Sequence, residues 1–247
     1  MSTAGGIWQA RTWPPGWNVR YVDRTGSTNE DLRRALASGE VGQRSVLVAG
    51  HQTAGRGRLD RRWEAPPDVN LLVSFAFTEV PDPAVELTHR VGLAVARALG
   101  SLTATERVGL KWPNDVLLDD LKVAGILAVR STGPDGVPAG IVVGVGVNVG
   151  WAPAGAARLG PDHEPADVLL ETLTAYDALP DEVQPAYRAA LRTLGARVRV
   201  ELPGGDHVVG RAVDVGADGR LAVLDDCAVT HHLDVGDVVH LRPADPA

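Results

Sequence analysis

Four runs of β-branched or apolar residues limit this chain more than any other feature: 45–50 (SVLVAG), 70–77 (NLLVSFAF), 122–130 (KVAGILAVR) and 140–149 (GIVVGVGVNV). Each has the length and residue types of a β-strand. Between the second and third, Ala84, Leu87, Val91, Ala94, Val95 and Ala98 fall on one face of a helix over 83–99 that opens at Pro83 and stops at Gly100. Upstream, Ser27-Thr28-Asn29-Glu30 is a capping-box pattern, with Ser27 at the N-cap, followed by Leu32, Ala35 and Leu36 at helical spacing and Gly39 as a stop. These elements predict one sheet with flanking helices.

The pattern then changes. Two helical segments, 166–176 and 181–195, precede short strands at 197–202, 208–215, 220–226 and 237–243. Pro203-Gly204-Gly205, Ala217-Asp218-Gly219 and Gly236-Asp237 separate them, the turn-rich signature of a small β-barrel. The boundary falls near Ala196, so the chain divides into an irregular arm (1–18, broken by Pro14-Pro15-Gly16), a main unit (19–195) and a small one (196–247).

Composition narrows the function. Net charge is −7, so no overall positive field favours nucleic acid or an anionic membrane surface. No apolar run reaches the roughly eighteen residues of a membrane helix, which excludes a membrane-spanning role. A single cysteine, Cys227, permits no internal disulfide, and the first residues lack the layout of a signal peptide, so a cytoplasmic protein is expected.

Against that acidic background, 55–63 (GRGRLDRRW) holds four arginines, two glycines and a tryptophan. Glycine leaves backbone N–H groups accessible, and Arg56 and Arg58 offer planar forks matched to phosphate or carboxylate oxygens. The spacing is neither a Walker loop nor a dinucleotide fingerprint. A solvated surface loop is the bland alternative; Trp63, which needs a surface to cover, argues against it.

Two further constellations carry chemistry. Lys111-Trp112-Pro113-Asn114-Asp115 fits a strand end turning into a hairpin, which would return Lys122 to the side of Lys111. Taken singly, Asp115 reads equally as a turn-capping side chain and the two lysines as exposed strand ends. In Gly144-Val145-Gly146-Val147-Asn148, alternating glycine leaves one strand face bare, so a flat group could lie there with Asn148 on its edge; a tightly packed central strand is the alternative. The histidines, including His231 and His232, have no spacing that recommends a metal site.

Together GSTN (26–29), QTAGRGR…RRW (52–63), KWPNDVLLDDLKVAGIL (111–127) and GVGVN (144–148) resemble the biotin protein ligases in order and spacing. The resemblance implies an α+β fold, with a mixed sheet and flanking helices like those of class II synthetases and biotin/lipoate ligases, plus a small C-terminal SH3-like β-barrel. It also implies a two-step reaction: biotin and MgATP give biotinyl-5′-adenylate and pyrophosphate, then a lysine of a biotin carboxyl carrier domain attacks the acyl carbon and releases AMP. The enzyme would be a monomer or a ligand-dependent homodimer.

Roles follow by similarity. Lys122 and Arg58 hold the carboxylate and α-phosphate, Lys111 faces the departing phosphates, and Asp115 orients the metal or the incoming amine. Ser27, Thr28, Asn29 and Gln52, with Arg56, Gly57, Arg58 and Lys122, take biotin. Arg56, Arg58, Trp63, Lys111, Asn114, Lys122 and Asn148 take the nucleotide, Trp63 stacking on adenine and Asn148 reading the purine edge. Mg²⁺ would be held mainly by the ATP phosphates. The loop would be mobile when empty and ordered around the adenylate.

Departures are local. Asp60 stands where the family usually has glycine, and its carboxylate could pair with Arg61 or Arg62; Gly150 stands where many relatives have asparagine. The short arm before the first strand has no room for the DNA-binding domain of long family members, so a ligase without repressor function is expected. A lipoate or octanoate ligase or transferase is the nearest alternative, and a non-catalytic biotin- or carrier-binding module a more distant one. The neutral polar cluster opposes the first and the Lys111/Lys122 pair the second.

Overall fold

The computed structural model describes residues 4–234 and 236–240, with Ala4, Gly5 and Asp60 described by backbone alone. Residues 1–3 of the expected arm, 241–243 of the last expected strand and the Asp60 carboxylate lie outside that description.

Seven strands form the main sheet in the order β1 (Asn18–Thr25), β2 (Ser45–Gln52), β3 (Leu71–Phe77), β7 (Pro138–Val147), β6 (Leu121–Thr132), β5 (Asp115–Leu118), β4 (Val108–Lys111). β1 and β2 are parallel, joined through the crossover helix α2 (Thr28–Ala37), and the remaining neighbours are antiparallel. The sheet is therefore mixed, as expected.

Because strand side chains alternate faces, register sorts residues into two surfaces. On the back, Val48, Val73, Val145 and Ile126 form one row and Val46, Phe75, Val143 and Ala128 the next. Against them lie Leu87, Val91, Val95 and Leu99 of α3 (Glu86–Thr103) and Val168, Leu169 and Leu173 of α4 (Pro165–Asp177), all in one buried cluster. Each large side chain fully buried there contributes roughly 1.5–3 kcal/mol.

On the front, the corresponding rows read Ala76–Val142–Val129, Ser74–Gly144–Leu127 and Leu72–Gly146–Gly125. Leu32 and Leu36 of α2 cover the first row through Leu47, Ala76 and Val142. The other two rows lose bulk, and the apolar side chains of α2 do not cover them.

The small unit is a five-stranded antiparallel sheet ordered β11 (Thr230–Leu233), β10 (Leu221–Leu224), β9 (His207–Val215), β8 (Arg197–Glu201), β12 (Asp237–His240), consistent with an SH3-like fold. Its buried Val198, Val200, Ala212, Val215, Leu221 and Val223 are continuous with the main core. Trp112, 2% exposed, donates its indole N–H to the Gly219 carbonyl at 2.8 Å, and its backbone N–H to Thr193 Oγ1 at 3.0 Å. The Gln184 amide, on α5 (Gln184–Ala190), bonds the Val215 and Gly216 carbonyls.

Four local readings need correction. Residues 4–10 are not irregular: α1 (Ala4–Ala10) forms because Trp8 finds stacking partners in Tyr21 and Trp13, 5.5 and 6.0 Å between ring centroids. Ser27 is the N-cap of α2, but no capping box closes, since Arg33 takes the Glu30 carboxylate through two bonds of 2.7 and 2.9 Å. Gly100 does not stop α3, which runs to Thr103 and ends on Ala104 at φ 48; a mid-helix glycine costs only about 1 kcal/mol, which packing offsets. The helix expected over 181–195 is only the short α5, because Thr193 turns away to bond Trp112.

Candidate active site

Those two front rows place glycine at 125, 144 and 146, and the three glycines are among the residues lining a cavity of about 260 Å³. Ser27, Thr28 and Asn29 at the start of α2 form one wall, Gln52 and the 56–64 loop another. Asn114, Asp115 and Lys122 of the β4–β5–β6 hairpins and Asn148 after β7 complete it, with Asp237 of β12 at the rim. Every sequence-derived site residue except Lys111 lines this cavity.

One end is neutral and polar. Gln52 Oε1 accepts from the Thr28 backbone N–H at 2.7 Å and from Thr28 Oγ1 at 3.0 Å, and Thr28 Oγ1 lies 2.8 Å from Ser74 Oγ. With its oxygen doubly used, Gln52 has its NH₂ to offer a ligand. Asn29 is the converse: its NH₂ donates to the Leu127 carbonyl at 2.9 Å, while its buried Oδ1 has no partner among the described residues. An unpartnered buried acceptor costs about 1–3 kcal/mol, so it invites a donor.

The other end is cationic. Lys122 Nζ pairs with Asp115 Oδ1 at 2.6 Å. Asp115 and Lys122 meet because β5 and β6 pair with a register shift between Val116 and Leu117, placing Leu117 opposite Lys122. Arg58 Nη1 donates to Asn114 Oδ1 at 3.4 Å and to the Gly236 carbonyl at 3.5 Å. Burial pulls the Arg58 guanidinium below its ordinary range, and the charges of Asp237 and Asp115 oppose that shift. Burial also lowers Lys111, which feels Asp115, Lys122 and Asp237 without forming part of the wall.

The arginine-rich loop folds as a small hairpin. Gly57 N donates to Arg61 O at 2.7 Å, Trp63 N to Gly55 O at 3.0 Å, and Leu59 supplies a left-handed residue at φ 53. The bare glycine face is filled by Trp63 itself: a Cβ on Gly125 would approach the indole at 3.0 Å, and one on Gly146 would collide with it. Lys122 Nζ sits 5.6 Å from the same ring. A ligand's flat group would therefore meet the indole rather than the glycines.

Asn148 is buried and its NH₂ donates to Ala157 O at 3.0 Å, so it also fastens the following loop, whose Pro153 and Ala156 line the cavity. Among the described residues no group of three His, Cys, Asp or Glu could hold a metal ion.

Sequence reasoning missed Ser74, Arg61 and Asp237 as lining residues. Ser74 carried a faint signal, the one hydroxyl in an otherwise apolar strand. Asp237 carried none, because only docking of the small sheet brings it to the rim.

The profile of the Biotin/lipoate A/B protein ligase family matches residues 21–148, and that of the Biotin protein ligase C terminal domain matches residues 193–241. A biotin–[acetyl-CoA-carboxylase] ligase of Mycobacterium tuberculosis is 41% identical over 249 residues, 92% of this chain and 91% of that protein. The bifunctional ligase/repressor BirA of Escherichia coli is 38% identical over 136 residues, which are 54% of this chain and 41% of the relative. A structure of Aquifex aeolicus biotin protein ligase in complex with biotin and ATP superposes with TM-score 0.72 at 28% identity, covering 91% of this chain and 99% of that one.

Proposed function

The chain belongs to the biotin/lipoate A/B protein ligase family, and from that premise we propose that it is a biotin protein ligase, using ATP and biotin and transferring the biotinyl group to a lysine of a biotin carboxyl carrier domain. One observation carries the reading: a single cavity joins a neutral donor–acceptor end to a cationic end. Biotin is a molecule with those two ends. Its ureido ring offers N–H groups to the Asn29 oxygen and a carbonyl to the Gln52 NH₂, and its carboxylate reaches toward Lys122, Arg56 and Arg58.

In the first step a carboxylate oxygen attacks the α-phosphorus of ATP, the new P–O bond replaces the bond to the β-phosphate oxygen, and pyrophosphate leaves. Both reactants are anions, so fixed positive charge must offset their repulsion. Lys122, held by Asp115 at 2.6 Å, and Arg58, held near Asn114, are preorganised for that work. Lys111 adds charge from behind the wall. Magnesium would enter as part of the MgATP substrate, held mainly by the ATP phosphates. In the second step the carrier lysine's neutral amine attacks the acyl carbon to form the C–N bond, the acyl–phosphate C–O bond breaks with its electron pair going to AMP, and the nitrogen loses one proton to solvent to give the amide. Trp63 and the 55–63 loop shield the mixed anhydride from water.

In this reading residues 19–195 are the catalytic unit and 196–247 the SH3-like one, and the protein works in the cytoplasm, where its carrier and ATP are. Among the described residues no helix is long and apolar enough to cross a membrane. Pyrophosphate release, followed with biotin, with lipoate and with no acid, tests the function. Release with biotin alone is expected; lipoate-only or acid-independent release contradicts it.

A further inference from the structure

Asp237 opens β12 of the small sheet, yet its carboxylate lines the cavity and ion-pairs with Arg61 of the arginine-rich loop. The preceding residue acts on the same loop, since the Gly236 carbonyl accepts from Arg58 Nη1 at 3.5 Å. Within the loop Arg61 is a junction: its carbonyl accepts from Gly57 N at 2.7 Å, and its N–H donates to Arg58 O at 3.1 Å. Arg62 offers no comparable tether, because its partner Glu64 is two residues away at 3.7 Å and both side chains are 73% exposed. Across the cavity the loop is held by Trp63 on the glycine face at one end and by β12 at the other.

We propose that Asp237 is a positioning residue that latches the 55–63 loop shut through Arg61, making the small sheet part of the device that retains the acyl-adenylate. What is retained rests on the biotin-ligase reading; the latch rests on the contacts above. Asp237 need not touch the reacting atoms. Its carboxylate orients Arg61, whose guanidinium keeps further N–H donors for phosphate oxygens.

Hydrogen exchange of the 55–63 amides, measured on the full chain without ligand, tests the latch apart from catalysis. Asp237→Asn and Arg61→Gln should each exchange about threefold to fivefold faster, the size a part-exposed ion pair supplies. The double variant should be no faster than the faster single, and Asp237→Glu should stay near wild type. Unchanged exchange in the singles, or single effects that multiply in the double, overturns the proposal. Should Asp237→Asn fail to fold, Arg61→Gln, on an exposed side chain, decides alone. As a second reading, biotinyl-adenylate made from biotin and ATP should leave the singles severalfold sooner on gel filtration, while pyrophosphate release at saturating substrate falls less. A wild-type enzyme that makes no adenylate would bring down the biotin-ligase reading and leave the exchange result to judge the latch.

Discussion

The two faces of the seven-stranded sheet are built by opposite means from the same strands. On the back, Val73, Phe75, Val143 and Val145 fill every position, and α3 and α4 seal them from water. On the front, one residue along each strand, Ser74, Gly144, Gly146 and Gly125 leave a hollow that a loop, not a helix, covers. The back contributes apolar burial to stability. The front gives up that burial and leaves Asn29 Oδ1 and Trp63 Nε1 buried without protein partners among the described residues. A cavity of this kind needs a rigid wall behind it, because its polar groups must hold position while unfilled.

Substitutions on the two faces should therefore fail differently. The largest effect is expected at the front: Lys122→Ala should lower biotin-dependent pyrophosphate release about a thousandfold or more, with an unchanged melting curve, since its ammonium is part-exposed and its contacts, Asp115 and the Trp63 ring, belong to the cavity wall. A matching fall in thermal stability would show that the front also carries the fold. Next, at the back, Phe75→Ala should cost about 3–5 kcal/mol in denaturant unfolding while activity per folded molecule persists. Loss of activity at full stability would break the distinction from the other side.

Acid should act on the back as well. His89 of α3 is 3% exposed and stacked 3.8 Å from Tyr187, and burial pushes it down to about 4 from an ordinary 6.5. The folded value lies below the unfolded one, so the unfolded chain takes the proton first. Stability should thus be intact above pH 6.5 and fall by up to about 3 kcal/mol as pH drops toward 4. Urea midpoints across that window should flatten in His89→Gln, and an unaltered slope would assign the loss to other groups. The smallest change is Gly146→Ala, whose methyl would displace the Trp63 indole and lower adenylate formation about tenfold. Wild-type activity there would mean that the glycine face is not where Trp63 works.

These contrasts also explain what the sequence could tell. Apolar runs such as NLLVSFAF announce strands, and GRGR and GVGVN announce close backbone approach, because each signal is local. That Ser74 belongs with Gly144 depends on β3–β7 register, and that Asp237 belongs with Arg61 depends on how the small sheet docks; neither relation is written in neighbouring residues. Likewise the Ser27–Glu30 pattern marks where a helix starts, whereas the competing Arg33 decides what Glu30 does there. Lys111 shows the limit in the other sense: the hairpin does set Lys111 opposite Asp115 and Asp115 beside Lys122, but it leaves Lys111 outside the wall.

A crystal structure with biotinyl-5′-adenylate bound tests the central claim most directly. The account places the ligand in the cavity against the Trp63 indole, with the Lys122 ammonium and the Arg58 guanidinium within hydrogen-bonding distance of the acyl-phosphate and the ureido ring at Asn29 and Gln52. An adenylate seated elsewhere, or those two cations turned to bulk water, would contradict it.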